Sequence, residues 1–126
     1  MNDPREKLWH RCARVQTEFF LECKGEIVTD NNSVEYSKNF LDENDPKRKR
    51  FPGHTYDIWT NKRIVEIDDQ DQHLHKSQLI NDGIAGKYAM ENLKIPFYRL
   101  LKEEIVNRRG HLLPDAFSYL SRELQI

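Results

Sequence analysis

Residues 56–75, with the sequence YDIWTNKRIVEIDDQDQHLH, decide how the rest of the chain is arranged. Apolar and polar residues alternate in Tyr56–Trp59 and again in Arg63–Asp68, which predicts two short strands. A polar turn joins them, and an acidic loop with two histidines follows the second. The stretch therefore predicts a β-hairpin that leads into a charged loop.

The register of this hairpin places carboxylates together. The turn has either two or four loop residues, and both lengths put Trp59 opposite Ile64. Counting outward, Asp57 lies opposite Glu66, and the two-residue period of a strand adds Asp68 to the same face. Directly opposed like charges cost up to about 1 kcal/mol, so this face favours a bound cation. Carboxylates suit Mg²⁺, with Mn²⁺ as an alternative, and we expect all three to be metal ligands.

Composition limits the possible classes of protein. The chain has 126 residues, 37% apolar and 33% charged, with a net charge of −1, which predicts one soluble domain over residues 1–126. Cys12 and Cys23 lie too far apart in one predicted helix to form a disulfide, so we expect thiols in a reducing cytoplasm. No apolar segment resembles a signal peptide or a membrane span, so we expect no membrane partner.

A basic run precedes the hairpin. It consists of Lys47, Arg48, Lys49 and Arg50. A basic loop that leads directly into a candidate site is well placed to hold phosphates, and we expect these four residues to contact DNA. The last predicted helices, with Arg108, Arg109 and His111, are candidates for either a DNA contact or a homodimer face, since so small a chain has little surface for reading a long site.

The remaining elements complete an α/β order. Asp3 and Pro4 predict the start of a helix that runs to Gly25. Its predicted buried stripe consists of Leu8, Cys12, Val15 and Phe19, widened by Trp9 and Phe20. Glu22 lies at the margin of that stripe and Glu18 a little further round, so either carboxylate can point at a site beside the core.

Further elements follow from the same signals. We expect one or two strands between Gly25 and Phe40, a helix from Lys76 to Leu93, a strand from Ile95 to Leu101, and helices from Lys102 to Arg109 and from Pro114 to Leu124. This order predicts an α/β domain with a mixed sheet.

Two histidines follow the carboxylates. His73 and His75 lie just past the acidic strand, and imidazole can act near neutral pH as a base, a proton donor or a phosphate contact. A divalent ion activates water and neutralises charge on a scissile phosphate. Together these residues predict phosphodiester hydrolysis.

These motifs resemble a known superfamily. The order of elements is similar to the αβββαβ core of PD-(D/E)xK nucleases, and Asp57 followed nine positions later by Glu66-Ile67-Asp68 resembles their motif pair. VEIDD at 65–69, with His73 beyond it and IPFYRL at 95–100, resembles most closely the branch of very-short-patch repair endonucleases and phage homing endonucleases. The resemblance covers about Tyr56 to Leu101. It implies a restriction-endonuclease-like core with additional C-terminal helices, and a Mg²⁺-dependent DNA endonuclease with Asp57 and Glu66 as metal ligands.

The motif departs from the family at two positions. Tyr56 replaces its proline, and Asp68 stands where the pattern has the lysine that orients the attacking water. Either His73, His75 or Lys87 takes over that role, with Lys87 also a candidate DNA contact, or the site binds metal without cutting. Glu18 or Glu22 of the first helix is the acidic residue that would complete the site.

Three other readings compete with this nuclease. An HNH-type site fits poorly because no histidine has the sequence context of that motif, and structural zinc fits less well because two cysteines in one helix lack typical ligand spacing. The alternative of a different class is a non-catalytic module that binds nucleic acid or protein and retains a nuclease-like fold.

Overall fold

Four helices and two small β-sheets make up the part of the chain that the computed structural model describes, which is residues 6–44, 52–69 and 83–126. In chain order the elements are α1 (Leu8–Cys23), β1 (Ser33–Glu35), α2 (Lys38–Asn44), β2 (Gly53–Thr55), β3 (Ile58–Trp59), β4 (Ile64–Asp68), α3 (83–88, continuing as a π-helical turn over Ala89–Leu93), β5 (Phe97–Leu101) and α4 (Ala116–Glu123). Within these ranges, no helix combines the length and the apolar character that crossing a membrane requires. The predicted mixed α/β class is confirmed.

The larger sheet has the order β3-β4-β5 and is mixed. β3 and β4 are antiparallel with Trp59 opposite Ile64, so the register predicted for the hairpin is confirmed. β5 runs parallel to β4 and places Arg99 opposite Glu66. The polar turn closes through a hydrogen bond of 2.8 Å from the Thr60 N–H to the carbonyl of Arg63.

A short extended segment lies along the outer edge of β3. The Thr29 N–H donates to the Trp59 carbonyl at 2.8 Å, and the Asn61 N–H donates to the Ile27 carbonyl at 3.0 Å. Val28 forms an antiparallel bridge with Thr60. β1 pairs instead with β2 in the second, two-stranded sheet. The prediction of at least one strand between Gly25 and Phe40 is therefore confirmed.

Apolar clusters cover both faces of the larger sheet. One cluster joins α1 and α4 to the face of β4 that carries Val65 and Ile67, and the other joins Ala85 and Ala89 of α3 to Ile64. Because both faces are covered, every residue of β4 is buried, including its two carboxylates. Such buried charges require partners close by.

The predicted buried stripe of α1 is correct only in part, because Phe20 is buried and Trp9 and Cys12 pack against the core, while the other three residues are exposed. Leu8, Val15 and Phe19 are 65%, 46% and 57% exposed, whereas Ala13 and Thr17 are fully buried. The small Ala13 side chain lets the helix approach the sheet, and the Thr17 hydroxyl is satisfied by donating to the Ala13 carbonyl at 2.8 Å. Helix periodicity in apolar residues alone misses a face built from small and internally bonded polar residues.

The predicted helix from Lys102 to Arg109 is wrong. A single 3₁₀ turn, Lys102–Glu104, follows β5, and the chain then forms a tight turn closed by a bridge between Val106 and Leu112. The Asn107 side chain accepts two backbone N–H groups of this turn, which gives them an alternative to helical hydrogen bonds. The final predicted helix is confirmed as α4.

Candidate metal and nucleic-acid site

Asp57 and Glu66 lie together at the larger sheet. Asp57 immediately precedes β3, and its Oδ2 accepts the Ile67 N–H of β4 at 2.7 Å. Glu66 follows across the same hairpin and is the last of the groups that lower the pKa of Asp57, after burial is outweighed by His10 and by the Ile67 N–H. The hairpin thus brings together the two carboxylates that the sequence identifies as a pair.

His10 reaches this pair from α1. Its Nε2 lies 3.4 Å from Asp57 Oδ1 and 3.1 Å from the Ile67 carbonyl oxygen. Its Nδ1 contacts the carboxylate of Glu6. Burial by itself would lower the pKa of His10, but the hydrogen bonds and negative charges of Asp57 and Glu6 outweigh it and raise the pKa to about 9. His10 therefore carries a proton on each nitrogen at neutral pH, and its Nε2–H points at two oxygens of the site.

Asp57 responds to the same contact. Burial would raise the pKa of Asp57, but the hydrogen bond and charge of His10 outweigh it, with a further contribution from the Ile67 N–H, and lower that pKa. Asp57 is consequently ionised at neutral pH.

A buried arginine, Arg14, binds the Glu6 carboxylate that contacts His10. Arg14 Nε and Nη2 each lie 3.1 Å from an oxygen of Glu6, and Arg14 Nη1 lies 2.9 Å from Glu18 Oε1. Burial would lower the pKa of Arg14, but its hydrogen bonds to Glu6 and Glu18 outweigh burial and raise that pKa. Burial would raise the pKa of Glu6, but its hydrogen bonds to Arg14 and His10 outweigh burial and lower that pKa. Charged hydrogen bonds of this kind fix side-chain geometry, so the network orients His10 toward Asp57.

Glu66 has a histidine of its own. His54 on β2 places its Nε2 2.9 Å from Glu66 Oε1. Burial, followed by the charge of Glu66, raises the pKa of the Tyr36 hydroxyl. Asp68 is directed to a different cation, because its Oδ2 lies 3.5 Å from Arg99 Nη1 on β5.

Among the described residues, the other predicted site candidates take no part in these contacts of the pair. Glu18 and Glu22 line, together with Asp57, a cleft of about 580 Å³ between α1 and the segment that precedes β1. Lys87 is partly buried in α3. The candidates outside the described residues are His73, His75, Lys47, Arg48, Lys49 and Arg50.

Sequence reasoning missed Glu6, His10, Arg14 and His54 in this role. The sequence does carry a signal for the first three of these residues. Glu6, just before α1, and His10, Arg14, Glu18 and Glu22 within it follow one another at intervals of four, the spacing that stacks side chains along one face of a helix. The search for apolar periodicity passed over this charged stripe. His54 has no such signal, since only the folded sheets bring β2 next to Glu66.

The donors of the site fit Mg²⁺. The described residues contain no group of three or more His, Cys, Asp and Glu side chains arranged to hold a metal. Mg²⁺ does not need one, because it is commonly held by one or two carboxylates and keeps waters and substrate phosphates as its other ligands. Asp57, Glu66 and the Ile67 carbonyl provide hard oxygen atoms of that kind within one contact network.

Comparison with protein-family models found no match, and no curated protein or solved structure matches the chain. The function of the site is therefore inferred from its own geometry and chemistry.

Proposed function

We propose that this protein is a Mg²⁺-dependent DNA endonuclease of the PD-(D/E)xK type, with Asp57 and Glu66 as metal ligands. The observation that carries the proposal is the proximity of these two carboxylates. Asp57 precedes β3, and Glu66 lies in the buried strand β4. The next residue of β4, Ile67, has a carbonyl that faces His10, as Asp57 does. In the described fold His10 and His54 compensate this pair, and a bound divalent cation would take their place as its counter-charge.

The order of elements supports the proposal. In chain order α1 precedes the bridged segment 27–29, and β3, β4, α3 and β5 follow after an insertion that contains β1, α2 and β2. With that insertion set aside, and with β4 and β5 as parallel neighbours, the order is compatible with an αβββαβ core. α1 covers one face of the sheet, and its residues reach the carboxylate pair.

The side chains have distinct roles in this reaction. A bound Mg²⁺ would supply charge neutralisation and an activated water. Asp57 and Glu66 hold the ion, and His10 carries a proton on Nε2 beside Asp57, where it can be given to a leaving oxygen. Arg99 beside Asp68 provides a positive charge near the position where the motif has a lysine. His73 and His75 remain further candidates for proton transfer.

The experiment is cleavage of supercoiled plasmid DNA with Mg²⁺ or Mn²⁺. Asp57→Asn and Glu66→Gln should each reduce the rate by at least about 100-fold, because each removes an anionic ligand at nearly constant shape. The matched control is Asp42→Asn, which neutralises an exposed carboxylate on α2 and should leave the rate unchanged. Equal cutting by the wild type and both site variants would rule out this site. Separate Glu18→Gln and Glu22→Gln variants decide which residue of α1 takes part.

A non-catalytic binding module is the second candidate. Its supporting observation is that each carboxylate of the β4 face already has a basic partner: His10 for Asp57, His54 for Glu66 and Arg99 for Asp68. Such a module would bind DNA without cutting it under any of these metal conditions. The homodimer and the cytoplasmic location stay predictions, and light scattering in the presence and absence of DNA tests the first.

A further inference from the structure

A basic turn packs against the same part of α1 that contacts the candidate site. It spans residues 107–111 and presents Arg108, Arg109 and His111 to solvent. The Asn107 side chain accepts the N–H groups of Arg109 at 2.9 Å and His111 at 3.0 Å, and the Asn107 N–H donates to the His111 carbonyl at 2.9 Å. Gly110 completes the turn with φ +82°. These bonds hold the backbone that carries the arginines in one conformation.

The turn is packed against the start of α1. A Cβ on Gly110 would lie 2.5 Å from Cys12 Sγ, so the backbone approaches the helix as closely as a glycine permits. The Trp9 Nε1–H donates to the Val106 carbonyl at 3.2 Å, and the Arg108 guanidinium lies 5.9 Å from the Trp9 ring centroid. The position of the arginines is thus fixed relative to α1.

The same turn of α1 contacts the carboxylate site. Trp9 is followed directly by His10, whose Nε2 lies 3.4 Å from Asp57 Oδ1. The Lys102 ammonium lies 4.2 Å from the Trp9 ring centroid and 2.8 Å from Asp69, the residue after β4. Trp9 and His10 therefore connect the basic turn to the end of β4 where the carboxylates lie.

No carboxylate of the described residues neutralises the positive charge of the turn, in which Arg108 contacts the Trp9 ring. Arg108 and Arg109 are exposed and form no ion pair with any residue in the described ranges. Two acids near this end of α1 are already neutralised, Asp69 by Lys102 and Glu6 by Arg14. The guanidinium group matches a phosphate through paired N–H donors.

We propose that the turn of residues 107–111 binds the phosphate backbone of duplex DNA through Arg108 and Arg109, and holds the strand beside the Asp57–Glu66 pair. The inference rests on the proposed function, since it places the substrate of that site. It is nevertheless a statement about binding, which can be measured where no cutting occurs.

The test is binding of a fluorescent DNA duplex in EDTA, followed by anisotropy over a series of salt concentrations. The double variant Arg108→Ala, Arg109→Ala should bind roughly tenfold more weakly at low salt and lower the slope of log K against log salt by about two, because two phosphate contacts are lost. The double variant Arg108→Lys, Arg109→Lys keeps both charges and should restore most of the slope. Thermal unfolding midpoints verify that both variants fold.

The matched control is Arg122→Ala. Its side chain is 70% exposed and lines a groove with Cys23 and Lys24, at the opposite end of α1 from Trp9. This variant should bind DNA like the wild type. An unchanged slope in the alanine double variant, an equal loss in Arg122→Ala, or no DNA binding by the wild type would overturn the inference. Binding that depends on the arginines without any cutting would instead remove the nuclease proposal and leave the turn as a DNA-binding surface.

Discussion

Asp57 is held from two sides, by the backbone of β4 and by a histidine from α1. The Ile67 N–H fixes one oxygen and His10 faces the other, while Glu6 and Arg14 fix His10 in turn. Asp57 and the Ile67 carbonyl share the His10 Nε2–H, so the histidine occupies the direction from which a cation would approach both oxygens. His10 is therefore both a partner of the site and a competitor for it.

This arrangement predicts a pH-dependent contribution of His10 to stability. Its pKa of about 9 lies above the ordinary 6.5, so the protonated form stabilises the fold fully below about pH 6.5, and the contribution is lost as the pH rises through 9. The lowered pKa of Asp57 keeps that partner ionised down to its ordinary value of 3.8 and somewhat below. Between pH 6.5 and 9 the free energy of unfolding of the wild type, relative to His10→Gln, should fall by about 1–2 kcal/mol, because solvent screens the partly exposed imidazole.

Urea denaturation of both proteins, without divalent metal and at pH values from 5 to 10, measures this difference. Parallel stability profiles for the wild type and His10→Gln would show that the histidine gains no charge from its contact with Asp57.

At the scale of elements, prediction succeeded where local rules dominate. The hairpin register follows from the turn and the two-residue period of strands, so Trp59 opposite Ile64 was predictable. α1 itself was predictable, but its buried face only in part, because ion pairs and a small residue decide the rest. The turn at 107–111 was missed for a similar reason: the Asn107 side chain outcompetes helical hydrogen bonds in a sequence with good helix formers.

Gly110 should be the residue of that turn least tolerant of change. Gly110→Ala should destabilise the protein by about 2–4 kcal/mol, since φ +82° is unfavourable for alanine and the new Cβ would overlap Cys12 Sγ. In the double variant with Cys12→Ala, most of the steric cost should disappear, because only the Cys12 Cβ remains within 3.1 Å, and the backbone part of the cost should remain. Urea unfolding of the four proteins in this cycle measures both parts, and strict additivity would contradict the close packing of the turn on α1.

For the molecule as a whole, the two apolar clusters both contain residues of β4, one on each face of the strand. Trp9 packs on the cluster of α1 and α4, and Trp59 packs on the cluster of α3. Because one strand supports both, we expect a single cooperative domain. Trp59→Phe leaves fluorescence that reports on the first cluster, and Trp9→Phe leaves a reporter for the second. For each variant, the urea midpoint measured by fluorescence should coincide with the midpoint measured by circular dichroism. Midpoints that differ between the two signals would indicate two separately unfolding units.

The chemistry of the site was predictable in part. Asp57 and Glu66 follow from strand register, which a sequence encodes locally. Their partners come from α1 and β2, 47 and 12 positions away in the pairs that the structure forms, His10 with Asp57 and His54 with Glu66. Such contacts depend on how helices and sheets pack, and only the four-residue repeat of charges in α1 hints at them.

The central claim is that Asp57 and Glu66 together hold a divalent cation, and binding of Mn²⁺ followed by electron paramagnetic resonance tests it most directly. The signal of unbound Mn²⁺ should fall on titration with the wild type and with the control Asp42→Asn. Asp57→Asn and Glu66→Gln should each weaken binding by more than about tenfold, because each removes a direct ligand. Mn²⁺ bound equally by all four proteins, or by none of them, would contradict the claim.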